Sequence, residues 1–202
     1  MRSFTFAFLT SACCLIVSIN QNAFAQKKQD YIIVNSGDTI FSKIRGSESG
    51  LKNYSINGGT PIRIFPDEVK EFYCSRLYNV PYASKVLPNG KRDFVQVLMR
   101  GKINLYQIYN SSTTMSPMGG VNTHSTVYIY ACKYDTDSLQ LIKSTALINK
   151  NSPDERRAIF RGLIADDKSV LDKFTADNSY SIKQIFSIVE EYNSRNPIVM
   201  QR

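Results

Sequence analysis

Residues 31–143 are a succession of short β-branched and aromatic runs, each stopped by Gly, Asn, Asp or Pro before it reaches helix length. Tyr31–Val34 and 39–44 flank Asn35-Ser36-Gly37-Asp38; 51–56 and 61–65 flank Asn57-Gly58-Gly59-Thr60. Runs follow at 69–74, 82–87, 93–99, 102–109, 128–134 and 139–143, with turns at Pro88-Asn89-Gly90, Arg100-Gly101 and Asp135-Thr136-Asp137. Glycine supplies positive φ, and Asn and Asp bond their own backbone, so such stops reverse the chain. Asp38 therefore reads as a turn residue rather than an acid catalyst, since no partner carboxylate or histidine stands near it in sequence. With no long helix between the runs, a parallel βαβ unit is excluded, and an antiparallel sheet, sandwich or partly closed barrel is expected.

The pattern lapses between Asn110 and Ser125. "SSTTMSPMGGVNTH" is rich in Ser, Thr and Gly, holds the chain's single histidine, His124, and is expected to be a mobile loop between two Tyr-rich strands. The last quarter changes period. Ser152-Pro153-Asp154-Glu155 combines an N-cap serine, proline at the first helical position and a glutamate placed for a capping box. Ile159, Phe160, Leu163 and Ile164 then fall at helical spacing. Asp166-Asp167 opens a short helix burying Val170, Leu171 and Phe174, and Ser181 with Gln184 reads as a second capping box. The last stripe is Ile182, Ile185, Phe186, Val189 and Tyr192, with Pro197 past its end. The expected fold is α+β: an antiparallel β domain over 26–148, then two or three C-terminal α-helices within 149–202, packed on the sheet.

Residues 1–25 read as a secretory signal: Arg2, an apolar run over 4–19, and Ala23-Phe24-Ala25 as a small-x-small site, with cleavage between Ala25 and Gln26. Ser and Thr thin the run below the roughly 20 apolar residues of a membrane span. Cys13-Cys14 raise a lipoprotein alternative, but Leu15-Ile16-Val17 continue the apolar run beyond them. The expectation is an exported protein, periplasmic, outer-membrane-associated or extracellular, with no transmembrane span in the mature chain. The formal net charge is +8, and the excess lies in the β part rather than the helical part. Outside the cytoplasm this points to an envelope protein or an anionic surface glycan or lipid as partner, rather than nucleic acid, and serves solubility in any case. In an exported chain Cys74 and Cys132 either bond, stabilising by about 3–4 kcal/mol, or stay as small buried hydrophobes.

The stretches "DYIIVNSGDTIFSKI" and "RIFPDEVKEFY", with the ending "SVLDKFTADNSYSIKQIFSIVEEYN", resemble a family of uncharacterised exported proteins of Bacteroidetes-type bacteria. These carry a Gly-Asp-Thr hairpin, a Pro-x-Glu-Val strand start and a helical close. The resemblance implies location and architecture and carries over no catalytic residue. Ser42 stands where the family has glycine, so the second strand is expected to bend differently.

No cofactor fingerprint, phosphate loop, calcium loop or zinc spacing is present. The sharpest enzymatic alternative is a Cys/His-dependent hydrolase or thiol enzyme using His124 with Cys132 or Cys74. The stronger expectation is a non-enzymatic exported binding or interaction module of the cell envelope. Its candidate contact residues are Tyr106, Tyr109, Tyr128, Tyr130 and Tyr134, with Arg100, Lys102 and Lys133 among them. Period two places Tyr128, Tyr130, Cys132 and Tyr134 on one strand face, where tyrosines either stack on a ligand or pack beneath another layer.

Overall fold

The computed structural model describes residues 29–45, 53–55, 59–76, 79–115, 119–146, 151–177 and 179–198. The signal segment with its Ala25-Gln26 junction lies outside them.

Eight strands form one antiparallel sheet: β1 (Tyr31–Val34), β2 (Thr39–Phe41), β6 (Val69–Tyr73), β7 (Pro81–Val86), β8 (Arg92–Met99), β9 (Ile103–Met115), β10 (Val121–Lys133) and β11 (Gln140–Ser144). Their order is β11-β10-β9-β8-β7-β6-β1-β2, a meander extended at one side by the first hairpin. Three short strands, β3 (Ile44–Arg45), β4 (Asn53–Tyr54) and β5 (Ile62–Arg63), form a second sheet. Three helices close the fold: α1 (Pro153–Ile164), α2 (Lys168–Ala176) and α3 (Ile182–Arg195). The fold is α+β, as the sequence implies.

Alternation sorts the side chains onto two faces. Ile103, Leu105, Ile129, Ala131 and Ile142 point to the helices, where they meet Phe160, Val170, Phe174, Ile185, Val189 and Tyr192. The opposite face of the same strands carries Val95, Val97, Tyr106, Tyr130 and Cys132. Among the described residues no helix packs on this second face; the sheet covers it by curling. The turn after β10 reaches back to the end of β7, where Val86 N–H donates to Asp137 at 3.0 Å and Leu139 N–H to Val86 at 2.9 Å. Arg92 to Asp137 and Lys85 to Asp135 fasten the same contact. The sheet is not closed into a barrel, because β11 and β2 remain its two ends. At the β1–β6 end the small sheet lays Ile44, Tyr54 and Ile64 over Ile32, Phe72 and Tyr82.

Local signals hold at the helix starts. Ser152 and Glu155 form the reciprocal capping box, and Asp167 caps α2. At α3 the box is half made: Ser181 accepts from Gln184 N–H, but the Gln184 amide turns to the Asp177 carbonyl at 3.0 Å. The first hairpin turns at Gly37, whose φ of +96° a Cβ would strain, and Asp38 accepts the Ser36 hydroxyl at 2.6 Å. Where one strand is expected over 39–44, the chain passes from β2 to β3 and so changes sheets at Ser42. Ser42 is buried and its hydroxyl bonds both N–H and C=O of Ser55, which ties the two sheets at this change of direction.

Candidate functional site

The structure divides the eight candidate contact residues among four environments. Tyr106 and Tyr130 are buried in the core beneath the curl, and Tyr128 stacks on Tyr130 with centroids 6.5 Å apart. Burial pushes the Tyr130 phenol up to about 12, helped by Tyr128 and Asp93. Tyr106 is also raised by burial, and its hydroxyl donates to Asp135 at 2.8 Å. The Asp135 carboxyl also takes the buried Lys85 ammonium at 2.8 Å. Burial opposes its charge, but these two donors hold Asp135 below the usual carboxylate range. This polar network leads from the buried Tyr106 and Lys85 out to the exposed Asp135 of the turn.

Lys102 and Lys133 both reach Asp166, at 3.1 and 2.8 Å, and Tyr192 donates its hydroxyl to the same carboxylate at 2.8 Å. Both ammonium groups also lie over the Tyr192 ring, at 5.4 and 5.3 Å. Desolvation works against the charge of Asp166, yet donation by Lys133, Tyr192 and Lys102 holds its carboxyl well below the usual range. Nearby, Asn193 closes on the Ile103 backbone from both sides, accepting its N–H at 2.9 Å and donating to its C=O at 2.8 Å. Those two lysines are therefore structural clamps that fix α3 and the α1–α2 corner to the base of β9 and β10. Arg100 pairs with Glu71, which also accepts the Tyr31 hydroxyl at 2.7 Å.

Tyr134 leaves the expected face. It follows β10 at φ +55° with Asp135 at +54°, the two successive left-handed residues of a type I′ turn, and it is 67% exposed. Tyr109 is 43% exposed and hydrogen-bonds Ser125 at 2.7 Å across the hairpin.

Both cysteines are free thiols in different cores: Cys132 beneath the curl, Cys74 under the small sheet. The expected alternative of a bond between them is not realised. Burial raises the Cys132 thiol, the opposite of what a nucleophile needs. Cys132 and His124 also lie on one continuous strand eight residues apart, which at roughly 3.3 Å per residue separates them by about 26 Å. They cannot act as a pair. Among the described residues no group of three His, Cys, Asp or Glu is placed to hold a metal.

The main correction concerns the expected loop. β9 and β10 pair without interruption from Ile103↔Lys133 to Met115↔Val121, so 110–125 is largely a two-stranded ribbon. Its sheet neighbours stop early: β8 last pairs at Gln96↔Gln107, and β11 at Tyr128↔Ser144. From Tyr109 to Ser125 every side chain described is exposed, with Met115 at 85% and Val121 at 61%. This arm projects beyond the sheet, and among the described residues no strand pairs with either of its edges. A signal for it was present. Residues 103–132 contain no Asp, Glu, Lys or Arg in a chain that is 21% charged, and threonine is a β-branched strand former as well as a loop residue.

Comparison with family models, curated proteins and solved structures found no match for this chain.

Proposed function

We propose that this chain is a non-enzymatic exported binding or interaction module of the cell envelope, and that the β9–β10 arm is its contact element. The observation that carries this reading is the arm itself: an exposed, double-edged ribbon without a single charge. A two-stranded ribbon is marginal in water on its own, and proteins normally blunt open edges with lysine, proline or bulges. Among the described residues both edges are left unblocked over the projecting part, which suits an element that is covered by a partner. The signal-like leader and the resemblance to exported proteins support the envelope as its setting. A surface glycan or lipid of negative charge fits the arm poorly, because the cations are elsewhere and Arg100, Lys102 and Lys133 are already paired.

The Cys/His enzyme has less support, given the buried thiols and the distant histidine. Among the described residues no helix is long and apolar enough to cross a membrane.

The test is capture from the native envelope fraction by the wild type and by a variant in which residues 111–125 are replaced by Asn-Gly. That dipeptide closes a two-residue turn on the Asn110–Thr126 pair. Capture by the wild type alone supports the reading, and equal capture by both overturns it.

A further inference from the structure

We infer that the arm pairs with the arm of a second copy of this chain, edge to edge, extending the ribbon across a two-fold axis. The inference rests on the arm being the contact element and goes further by naming what covers it.

The backbone says which groups are on offer. Val127 exchanges hydrogen bonds with Thr145 on the β11 side: its N–H donates to the hydroxyl at 2.9 Å, and its C=O accepts the Thr145 N–H at 3.0 Å. By the two-residue period of an antiparallel ladder, Ser125, Thr123 and Val121 aim their N–H and C=O groups out of the same edge. Their partners opposite, Ser111, Thr113 and Met115, aim theirs out of the other edge. Among the described residues no strand pairs with either edge there.

Charge then selects the occupant. The chain carries a net +8, so two copies approach through most of their surface against repulsion. The uncharged arm, held away from the body, is where two such copies meet without like-charge contact. Its side-chain chemistry is self-complementary as well. Hydroxyls donate and accept, so the antiparallel two-fold register that sets Thr123 of one copy against Ser125 of the other lets these side chains satisfy each other. An isologous two-fold contact has this property, whereas a charged partner gains nothing from the arm.

Sedimentation equilibrium of the chain purified after export tests this, beside a Thr113→Pro, Thr123→Pro double variant. Each proline removes an N–H that points out of the arm, leaving the hydrogen bonds between β9 and β10 in place. The wild type should sediment at twice the monomer mass at micromolar concentration. The double variant should be monomeric, with self-association weakened by more than about tenfold and, at concentrations where the wild type is itself monomeric, the same melting temperature. Thr123→Lys, which alters no backbone group, should weaken the dimer in the same direction by placing a charge at the contact. A wild type that is monomeric throughout overturns self-pairing, even if envelope capture still depends on the arm. A dimer that survives both the double proline and the lysine variant overturns it too, because the contact then lies elsewhere.

Discussion

The two halves of the β9–β10 hairpin share strands and register, yet they differ in composition and live in different surroundings. At the base, Ile103, Leu105, Ile129 and Ala131 are sealed under helices while Tyr106, Tyr130 and Cys132 fill the curl behind them. At the tip the same alternation continues with Ser, Thr, Met and Val, and the side chains described there are exposed. Secondary structure alone therefore does not mark what a strand is for. The base is a strand because two layers bury it. The tip persists as an extension of that base, and its open edges are the feature that needs a functional explanation.

The largest effect should come from uncovering the base. α3 contributes Ile185, Ile188, Val189 and Tyr192 to the helix-facing core. At about 1.5–3 kcal/mol per buried apolar side chain, their loss is comparable to the whole stability of a domain. A chain ending before Ser181 should be unfolded or insoluble by circular dichroism and gel filtration; a native-like melting curve would show that the base needs no cover.

A smaller break lies at the corner where α3 meets the strands. A Cβ at Gly101 would overlap the Asn193 amide, the group that holds both polar atoms of Ile103. Gly101→Ala should cost about 1–3 kcal/mol by leaving those groups without partners, measured by urea denaturation. An unchanged midpoint would mean that the Asn193 clamp is dispensable.

Smaller still is the contribution of Asp166, which is partly solvent-exposed, so its ion pairs are screened. Its carboxyl is held below its unfolded value, so between the two values the unfolded chain binds the extra proton. Stability from this group is therefore complete above about pH 4 and is lost as pH falls further. Asp166→Asn should cost about 1 kcal/mol at neutral pH and make the stability profile flatter than wild type below pH 4. Parallel profiles would assign the clamp to Tyr192 and the lysines without the carboxylate's charge.

Local rules reached some of this molecule and missed the rest for identifiable reasons. Gly37, Ser152, Glu155 and Asp167 act within a few residues of themselves, so their turn and caps are legible in sequence. The box at Ser181 is half made because the Gln184 side chain is turned to donate its NH2 to the carbonyl of Asp177, which leaves its Oε1 off the Ser181 N–H. The role of Asp166 was invisible beside its capping neighbour, since its partners Lys102 and Lys133 lie 64 and 33 residues away. Tyr134 left its face because the type I′ turn starts one residue before the acidic cluster that signals it. The arm was misread because Ser, Thr and Gly are common to loops and to exposed ribbons. Only pairing between strands separates the two, and the absence of charge over 103–132 is the trace it leaves in the chain.

The division of the hairpin into a folding base and a recognition tip is tested most directly by the Asn-Gly replacement of residues 111–125, with melting temperature and envelope capture measured on the same preparation. The tip lies outside the cores of the described residues, so at concentrations where the chain is monomeric its removal should change stability by less than about 0.5 kcal/mol, a shift of a few degrees at most, while capture is lost. A variant that melts far below the wild type, or one that captures the same partners, would contradict the account.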